Sequence, residues 1–351
     1  MHKPLFSISI PAYNRAVLLP PLLDSILAQN FDDYEIVIAE DGSPEREKIR
    51  AVVEAYSICH PGLFIYVENA TNLGYDANIR NLCHLAQGEY LLFMGNDDLL
   101  CAGALAKIAA AVLKYPDVGV VLRSYAAFDG TPDNIVQISR YFANELFFPA
   151  GPETSVTIYR RSVVISGMVI HRESATSVTT ERFDGTLLYQ LYLVATILLT
   201  KNAVHLPDIL VLYRNGGIPD FGTSPAEQGR FVPQAQTPAS SLHFVQSMLD
   251  IAKYVESHHS VKIFQPVLRD IANYSYPLLA IQSGQPLTVF VHYLWELARM
   301  GLGWYLLFWG YALSILLLGT RRVDRLIRWI KGFLGYTPTL GKVYQGVIQG
   351  E

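Results

Sequence analysis

The sequence predicts an α/β fold, a mainly parallel sheet flanked by helices, and three observations carry that expectation. Short apolar segments alternate with segments of helical periodicity over the first hundred residues, the pattern of successive βαβ units. The segment Tyr90 to Met94 is aromatic and aliphatic throughout, as expected of a parallel strand buried on both faces. Two of them end on adjacent acids, Glu40-Asp41 and Asp97-Asp98, and strand ends are where ligands bind in open α/β sheets.

Each element follows from its residues. Phe6 to Arg15 opens as a strand that stops at Pro11 and runs into a polar loop. Leu19, Leu22, Leu23, Ile26 and Leu27 then fall at helical spacing, with Pro20 and Pro21 suited to a first turn. Tyr34 to Glu40 is a second strand closing on Asp41 and a Gly turn. A helix from about 45 to 57, a strand over 64–67, a loop over 69–75 and a helix to Ala86 lead to the strand at Tyr90, which delivers Asp97 and Asp98. Farther on, Val163 to Arg172 reads as a strand, and an apolar helix opening near Thr180 runs through Leu198.

Five short motifs stand in order along this stretch: Ile10 to Arg15 (IPAYNR), Glu40 to Ser43 (EDGS), Asn72 to Gly74 (NLG), Ala86 to Tyr90 (AQGEY) and Asn96 to Asp98 (NDD). In order and spacing they resemble the bacterial family 2 glycosyltransferases of the GT-A fold, over roughly residues 5 to 215. The variant Asn72 to Asn78, followed by Gly95 to Leu100 and Gly103 to Leu105, is most similar to O-antigen transferases of the abequosyltransferase type.

That resemblance implies roles which residue chemistry can check. Pro11, Ala12, Tyr13 and Asp41 would hold the nucleotide, with Tyr13 stacking on a base and Asp41 accepting from a base or ribose donor. A packing Tyr and an Asp-Gly-Ser turn are the plainer alternatives. Arg80 would contact the pyrophosphate, against the alternative of a surface arginine. The family's Asp-x-Asp would need an acid at position 95, where this chain has Gly95. Asp97 is therefore the first expected metal ligand, with Asp98 or Asn96 adding a further oxygen to Mg²⁺ or Mn²⁺. Asp184, with Glu181 as rival, is the expected catalytic base by position ahead of the apolar helix, and helix capping is the competing explanation.

Other chemistry is thin. Cys59, Cys83 and Cys101 show no paired spacing, which suits a reducing compartment and supports neither zinc nor a disulfide framework. His258-His259 has no acid or thiol set around it. There is no phosphate-binding Gly-x-x-x-x-Gly-Lys loop, no Gly-x-Ser-x-Gly elbow and no dinucleotide fingerprint. A net charge of -4 argues against a nucleic-acid partner, and 51% hydrophobic residues supply an ample core. The single Lys before the first strand argues against a secretory signal.

The organisation read from the sequence is a catalytic domain over 1–214, a flexible loop or linker over 215–241 rich in Gly, Pro, Ser and Gln, a helical extension over 242–285, and a membrane-associated region over 286–351. In the last region Gly301 to Gly319 carries no charge in 19 residues, about 28 Å as a helix. Arg321 to Leu334 follows with apolar and basic faces opposed, the pattern of an interfacial helix on anionic lipid. A membrane-embedded or re-entrant segment, paired with Leu287 to Met300, would keep the catalytic domain and the basic helix on the cytoplasmic face of the bacterial membrane. The family resemblance implies inverting transfer of a sugar, abequose or another deoxyhexose, from a CDP-, UDP-, GDP- or dTDP-linked donor to an undecaprenyl-diphosphate-linked oligosaccharide in O-antigen assembly. A polyprenyl-phosphate sugar synthase and a catalytically silent nucleotide-sugar-binding scaffold are the alternatives.

Overall fold

The computed structural model describes residues 3–216 and 220–333. The chain runs β1 (Phe6–Ala12), α1 (Leu19–Leu27), β2 (Tyr34–Glu40), α2 (Arg46–Cys59), β3 (Phe64–Glu68), α3 (Tyr75–Leu85), β4 (Tyr90–Phe93), β5 (Leu99–Leu100) and α4 (Ala104–Lys114). It continues through β6 (Val118–Phe128), β7 (Ile135–Ser139), β8 (Leu146–Phe148), α5 (Pro152–Tyr159), β9 (Met168–His171), α6 (Arg172–Ser177), α7 (Tyr189–Ile197) and β10 (Asn202–Arg214). Six helices follow: α8 (Pro238–His259), α9 (Phe264–Asn273), α10 (Tyr276–Ala280), α11 (Leu287–Arg299), α12 (Leu306–Leu318) and α13 (Thr320–Phe333).

The strands form one sheet in the order β3-β2-β1-β4-β9-β6-β10-β5, with β7 beside β6 and β8 beside β10. It is a GT-A-like α/β fold, but the sheet is mixed where the sequence suggested a mainly parallel one. Pairing is parallel across β3-β2-β1-β4 and between β6 and β10, while β9 runs antiparallel to both β4 and β6. The reason is local. The expected strand over Val163–Arg172 is shortened to Met168–His171, because a 3₁₀ turn at Arg160–Ser162 is followed by a loop over 163–167, so the chain joins the sheet from the carboxyl edge of β4 and pairs Met168 with Phe93.

The core obeys the period-two rule of strands. Phe6, Ile8 and Ile10 of β1, Ile36 and Ile38 of β2, and Tyr90 and Leu92 of β4 pack one face, under α1, α2 and α4. Val37, Ala39, Leu91 and Phe93 pack the other, where α3, α5 and α7 lie. This second cluster does not stop at residue 214: it takes in Val245 and Met248 of α8, Leu268 of α9, Phe290 and Leu297 of α11, and Phe308 and Ile315 of α12. Tyr159 Oη donates to the Met248 carbonyl (2.7 Å), and Arg160 pairs with Asp270 (2.7 Å), so the C-terminal helices are buttresses of the sheet.

The uncharged run over 301–319 is interrupted. Gly301 takes φ +106, Leu302–Trp304 form a 3₁₀ turn, and α12 keeps only 13 residues, about 20 Å, short of a bilayer core of about 30 Å. Among the described residues no helix is long and apolar enough to cross a membrane. Leu334, the last residue of the expected amphipathic face, and residues 335–351 lie outside the described residues, as do 217–219 of the expected linker.

Candidate active site

A cavity of about 430 Å³ opens at the carboxyl ends of β1, β2 and β4, within the size range of small-ligand sites. It brings together Pro11, Ala12, Tyr13, Asp41, Asn96, Asp97 and Asp98, seven of the ten expected site residues. Asp41 is buried, and the Asn72-Leu73-Gly74 turn explains why: Leu73 N and Gly74 N (2.9 Å each) and Asn69 Nδ2 (2.8 Å) all donate to its carboxylate. Burial raises its pKa, against these three bonds. Glu40 turns away from the cavity, accepting from Gly42 N (3.0 Å), Ser43 N (2.7 Å) and Arg46 Nε (2.7 Å), so it caps the turn that aims Asp41.

The acids after β4 are crowded. Asp98 is 2% exposed; it accepts from Ser166 Oγ and from Arg214 N (2.8 Å), and burial followed by the neighbouring Asp97 charge pushes its pKa up to about 7. Asp97 pairs with Arg15, and Asn96 Nδ2 donates to the Asn14 carbonyl (2.9 Å). Gly95 has a physical reason: a Cβ there would stand 3.1 Å from both Asp98 Oδ2 and Ser166 Oγ, so a third acid would crowd the bond that holds Asp98.

Asp184, Glu181 and Arg80 are not among the residues lining this cavity. Arg80 grips Asp184 through both guanidinium nitrogens (2.5 and 3.0 Å) and also donates to the Thr180 carbonyl (3.1 Å), while exposed Glu181 stays 3.9 Å away. The helix turn places Arg80 toward the segment before α7 rather than toward the strand ends. Helix α7 itself is capped by Asp76, which accepts from the backbone N–H of Thr186, Leu187, Leu188 and Tyr189 (2.8–2.9 Å). The residue that α7 presents to the cavity is Gln190, held by Val163 O (2.9 Å).

Sequence reasoning also missed a wall. Residues 220–236, expected as linker, cover one side of the cavity with Asp220, Phe221, Thr223, Glu227 and Gln236. Buried Glu227 accepts from Tyr75 N (2.8 Å) and from Gly222 N (2.9 Å), Asn72 Nδ2 donates to Thr223 Oγ1 (2.9 Å), and Phe221 packs edge-on against Tyr75. Two glycines make room: a Cβ at Gly74 would meet Ser224 Oγ at 2.5 Å, and one at Gly185 would meet the Ala226 carbonyl at 2.1 Å. Both have positive φ, which also disfavours a side chain. A polar stretch rich in Gly and Pro gives no periodicity, so only these partners reveal it.

The site carries five carboxylates, Asp41, Asp97, Asp98, Asp220 and Glu227, against two guanidinium groups, Arg15 and Arg214. Among the described residues no group of three or more His, Cys, Asp and Glu is placed to hold a metal ion. Asp97 and Asp98 are a two-carboxylate donor set, which suits a hard divalent ion that keeps waters and takes phosphate oxygens.

Fold and site together define a GT-A-like α/β protein with an acid-lined ligand cavity at the strand ends. Residues 7–168 match the family model described as Glycosyl transferase family 2. A PGL/p-HBAD biosynthesis glycosyltransferase of Mycobacterium bovis is 40% identical over 114 residues, 32% of this chain and 43% of that protein. A GalNAc(5)-diNAcBac-PP-undecaprenol beta-1,3-glucosyltransferase of Campylobacter jejuni is 31% identical over 105 residues, 30% of this chain and 33% of that protein. The chain thus spans less than half the length of the curated relatives it matches. Among solved structures, S. aureus TarS 1-349 is similar with TM-score 0.57 at 17% identity, covering 84% of this chain and 80% of that one. The mannosyltransferase PcManGT from Pyrobaculum calidifontis, in complex with GDP-Man and Mn²⁺, gives TM-score 0.51 at 17% identity, covering 96% and 89%. Over residues 7–168 the chain is therefore similar to family 2 glycosyltransferases, and the solved structures share its fold.

Proposed function

We propose that this protein transfers a sugar, with inversion, from a nucleotide-sugar donor to a lipid-linked oligosaccharide at the cytoplasmic face of a bacterial membrane. The observation that carries the reading is the convergence of Asp41, Asp97 and Asp98 on one cavity at the ends of β2 and β4. The nucleoside would lie along Pro11, Ala12 and Tyr13, with Asp41 set by its three donors to receive a base or ribose hydrogen bond. Asp97 and Asp98, with Asn96 beside them, would hold Mg²⁺ or Mn²⁺, whose charge would neutralise the departing nucleoside diphosphate. Such an ion would also offset the Asp97 repulsion that, after burial, raises the Asp98 pKa. Donors named in related structures, GDP-Man among them, support the donor class. The motif style of residues 72–78 favours a deoxyhexose such as abequose.

Asp184 can serve as the base only in a state where Arg80 has released it; with the pair closed it seats the segment that leads into α7.

The lipid-linked acceptor is supported by the name of the C. jejuni relative and by the surface of the C-terminal helices. Trp304 and Leu306 are 88% and 90% exposed, and Leu287 and Trp295 of α11, Leu313 and Leu317 of α12, and Trp329 of α13 extend an apolar surface. Arg321, Arg322 and Arg325 adjoin it on α13. One face of α11 and α12 is in the core, so the other is suited to lie in the interface of an anionic bilayer without crossing it. Product analysis tests the acceptor: sugar should appear on an undecaprenyl-diphosphate saccharide, and transfer to bare polyprenyl phosphate instead would overturn that choice.

A further inference from the structure

The cavity's two arginines are held in different ways. Arg214 donates to main-chain carbonyls of Asp97 (3.1 Å) and Gly130 (3.2 Å) and lies over the Phe128 ring. Arg15 instead donates to the Asp97 carboxylate, and both residues line the cavity beside Tyr13. The backbone is bent to place it there: Asn14 and Arg15 have φ of 54° and 60°, two consecutive residues in a region that a Cβ disfavours. Several contacts hold the bend. Asn96 Nδ2 donates to Asn14 O (2.9 Å), Asn14 Nδ2 to Asp220 (3.0 Å), and Ala16 N to Glu45 (2.9 Å).

We infer that Arg15 grips the donor's diphosphate, moving its guanidinium from Asp97 onto phosphate oxygens as the nucleotide enters. The inference rests on the cavity being a nucleotide site. A diphosphate arriving at Asp97 and Asp98 meets two crowded carboxylates, and the side-chain cation already seated on one of them is the countercharge nearest the reacting end. Its planar fork matches phosphate oxygens, whereas the Arg80 fork is filled by Asp184 outside the cavity. The exchange also uncovers Asp97 in the step that brings the phosphate, so ligand arrival and the freeing of a carboxylate oxygen are coupled.

The test is calorimetric binding of UDP, CDP, GDP and dTDP, and of their parent nucleosides, with chelator and with Mn²⁺, to wild type, Arg15→Gln, Arg15→Lys and Asp97→Asn. For the tightest diphosphate, Arg15→Gln should weaken chelated binding by about 10- to 100-fold and leave the nucleoside unchanged. Arg15→Lys should recover part of the loss, and Asp97→Asn, which releases Arg15, should tighten chelated binding. A folded Arg15→Gln protein that binds the diphosphate as wild type does, or loses nucleoside equally, overturns the inference and leaves the nucleotide site standing. If Arg15→Gln does not fold, an Asp97→Asn protein that gains no chelated affinity overturns it. Wild-type protein that binds no diphosphate or nucleoside under either condition overturns both.

Discussion

The Asp97–Asp98 pair at the strand-end cavity and the segment leading into α7 both bring carboxylates together, and they treat them in opposite ways. Before α7 the acids are matched: Asp76 receives four backbone N–H groups, and Asp184 receives both arms of Arg80. At the cavity Asp97 and Asp98 stand side by side, Asp97 paired with Arg15 and Asp98 buried, its pKa pushed up to about 7 by burial and then by the Asp97 charge. Acids whose partners are complete hold the fold together; acids left crowded at a strand end are available to a ligand. The contrast separates residues that look alike in sequence.

The largest effect that would break this contrast belongs to the cavity. Asp97→Ala should lower donor turnover by at least about a hundredfold with the fold retained, the scale of losing one electrostatic stabiliser; circular dichroism and a donor-consumption assay check it. The next concerns the basic surface of α13. Replacing Arg321, Arg322 and Arg325 by Gln should weaken flotation with anionic vesicles by about 1 kcal/mol per charge, and added salt should mimic the change. Equal flotation of the triple variant would show that lipid is not what this surface meets.

On the α7 side, Asp184→Ala should cost about 1–3 kcal/mol in urea unfolding by leaving Arg80 unpaired, while Asp184→Asn should keep turnover per folded molecule within about threefold. A folded Asp184→Asn protein with turnover reduced by about 10² to 10⁴ would restore Asp184 as the base and abolish the distinction drawn above. A pH profile gives a further test. The folded-state pKa of Asp98, about 7, lies above its ordinary value of 3.8, so the folded state binds a proton more tightly than the unfolded chain. Its contribution to stability is therefore full below about pH 4 and is lost as pH rises through about 7. Asp98→Asn should flatten that part of the stability profile, measured by urea unfolding across the range.

What the sequence disclosed follows the range of each signal. Strands β1 to β4 were legible because each carries short apolar runs bounded by turn residues, β4 being apolar on both faces, and the carboxylates at Asp41, Asp97 and Asp98 because they closely follow those strands. The direction of Arg80 was not legible: a helix position becomes a site only through the packing of α3 against its neighbours, and that packing turns it to Asp184. Nor was the 220–236 wall, whose hold on the cavity comes from Glu227 and Thr223 meeting residues some 150 positions away in the chain. The tail misled for a related reason. Hydropathy registers that 301–319 is uncharged, but not that the 3₁₀ turn at Leu302–Trp304 interrupts it or that Phe308, Ala312 and Ile315 face the core. Cutting the chain at Leu287 would therefore strip buried residues, Tyr293 and Leu297 among them, from the body that carries the site.

The most direct measurement is a panel of CDP-, UDP-, GDP- and dTDP-linked sugars assayed for consumption by wild type and by Asp97→Ala, with divalent cation and with chelator. The cavity chemistry requires that at least one nucleotide sugar be turned over, that chelator suppress it, and that Asp97→Ala abolish it. Consumption of none of them, or turnover indifferent to both Asp97 and chelator, would contradict a sugar-transfer site at the end of β4.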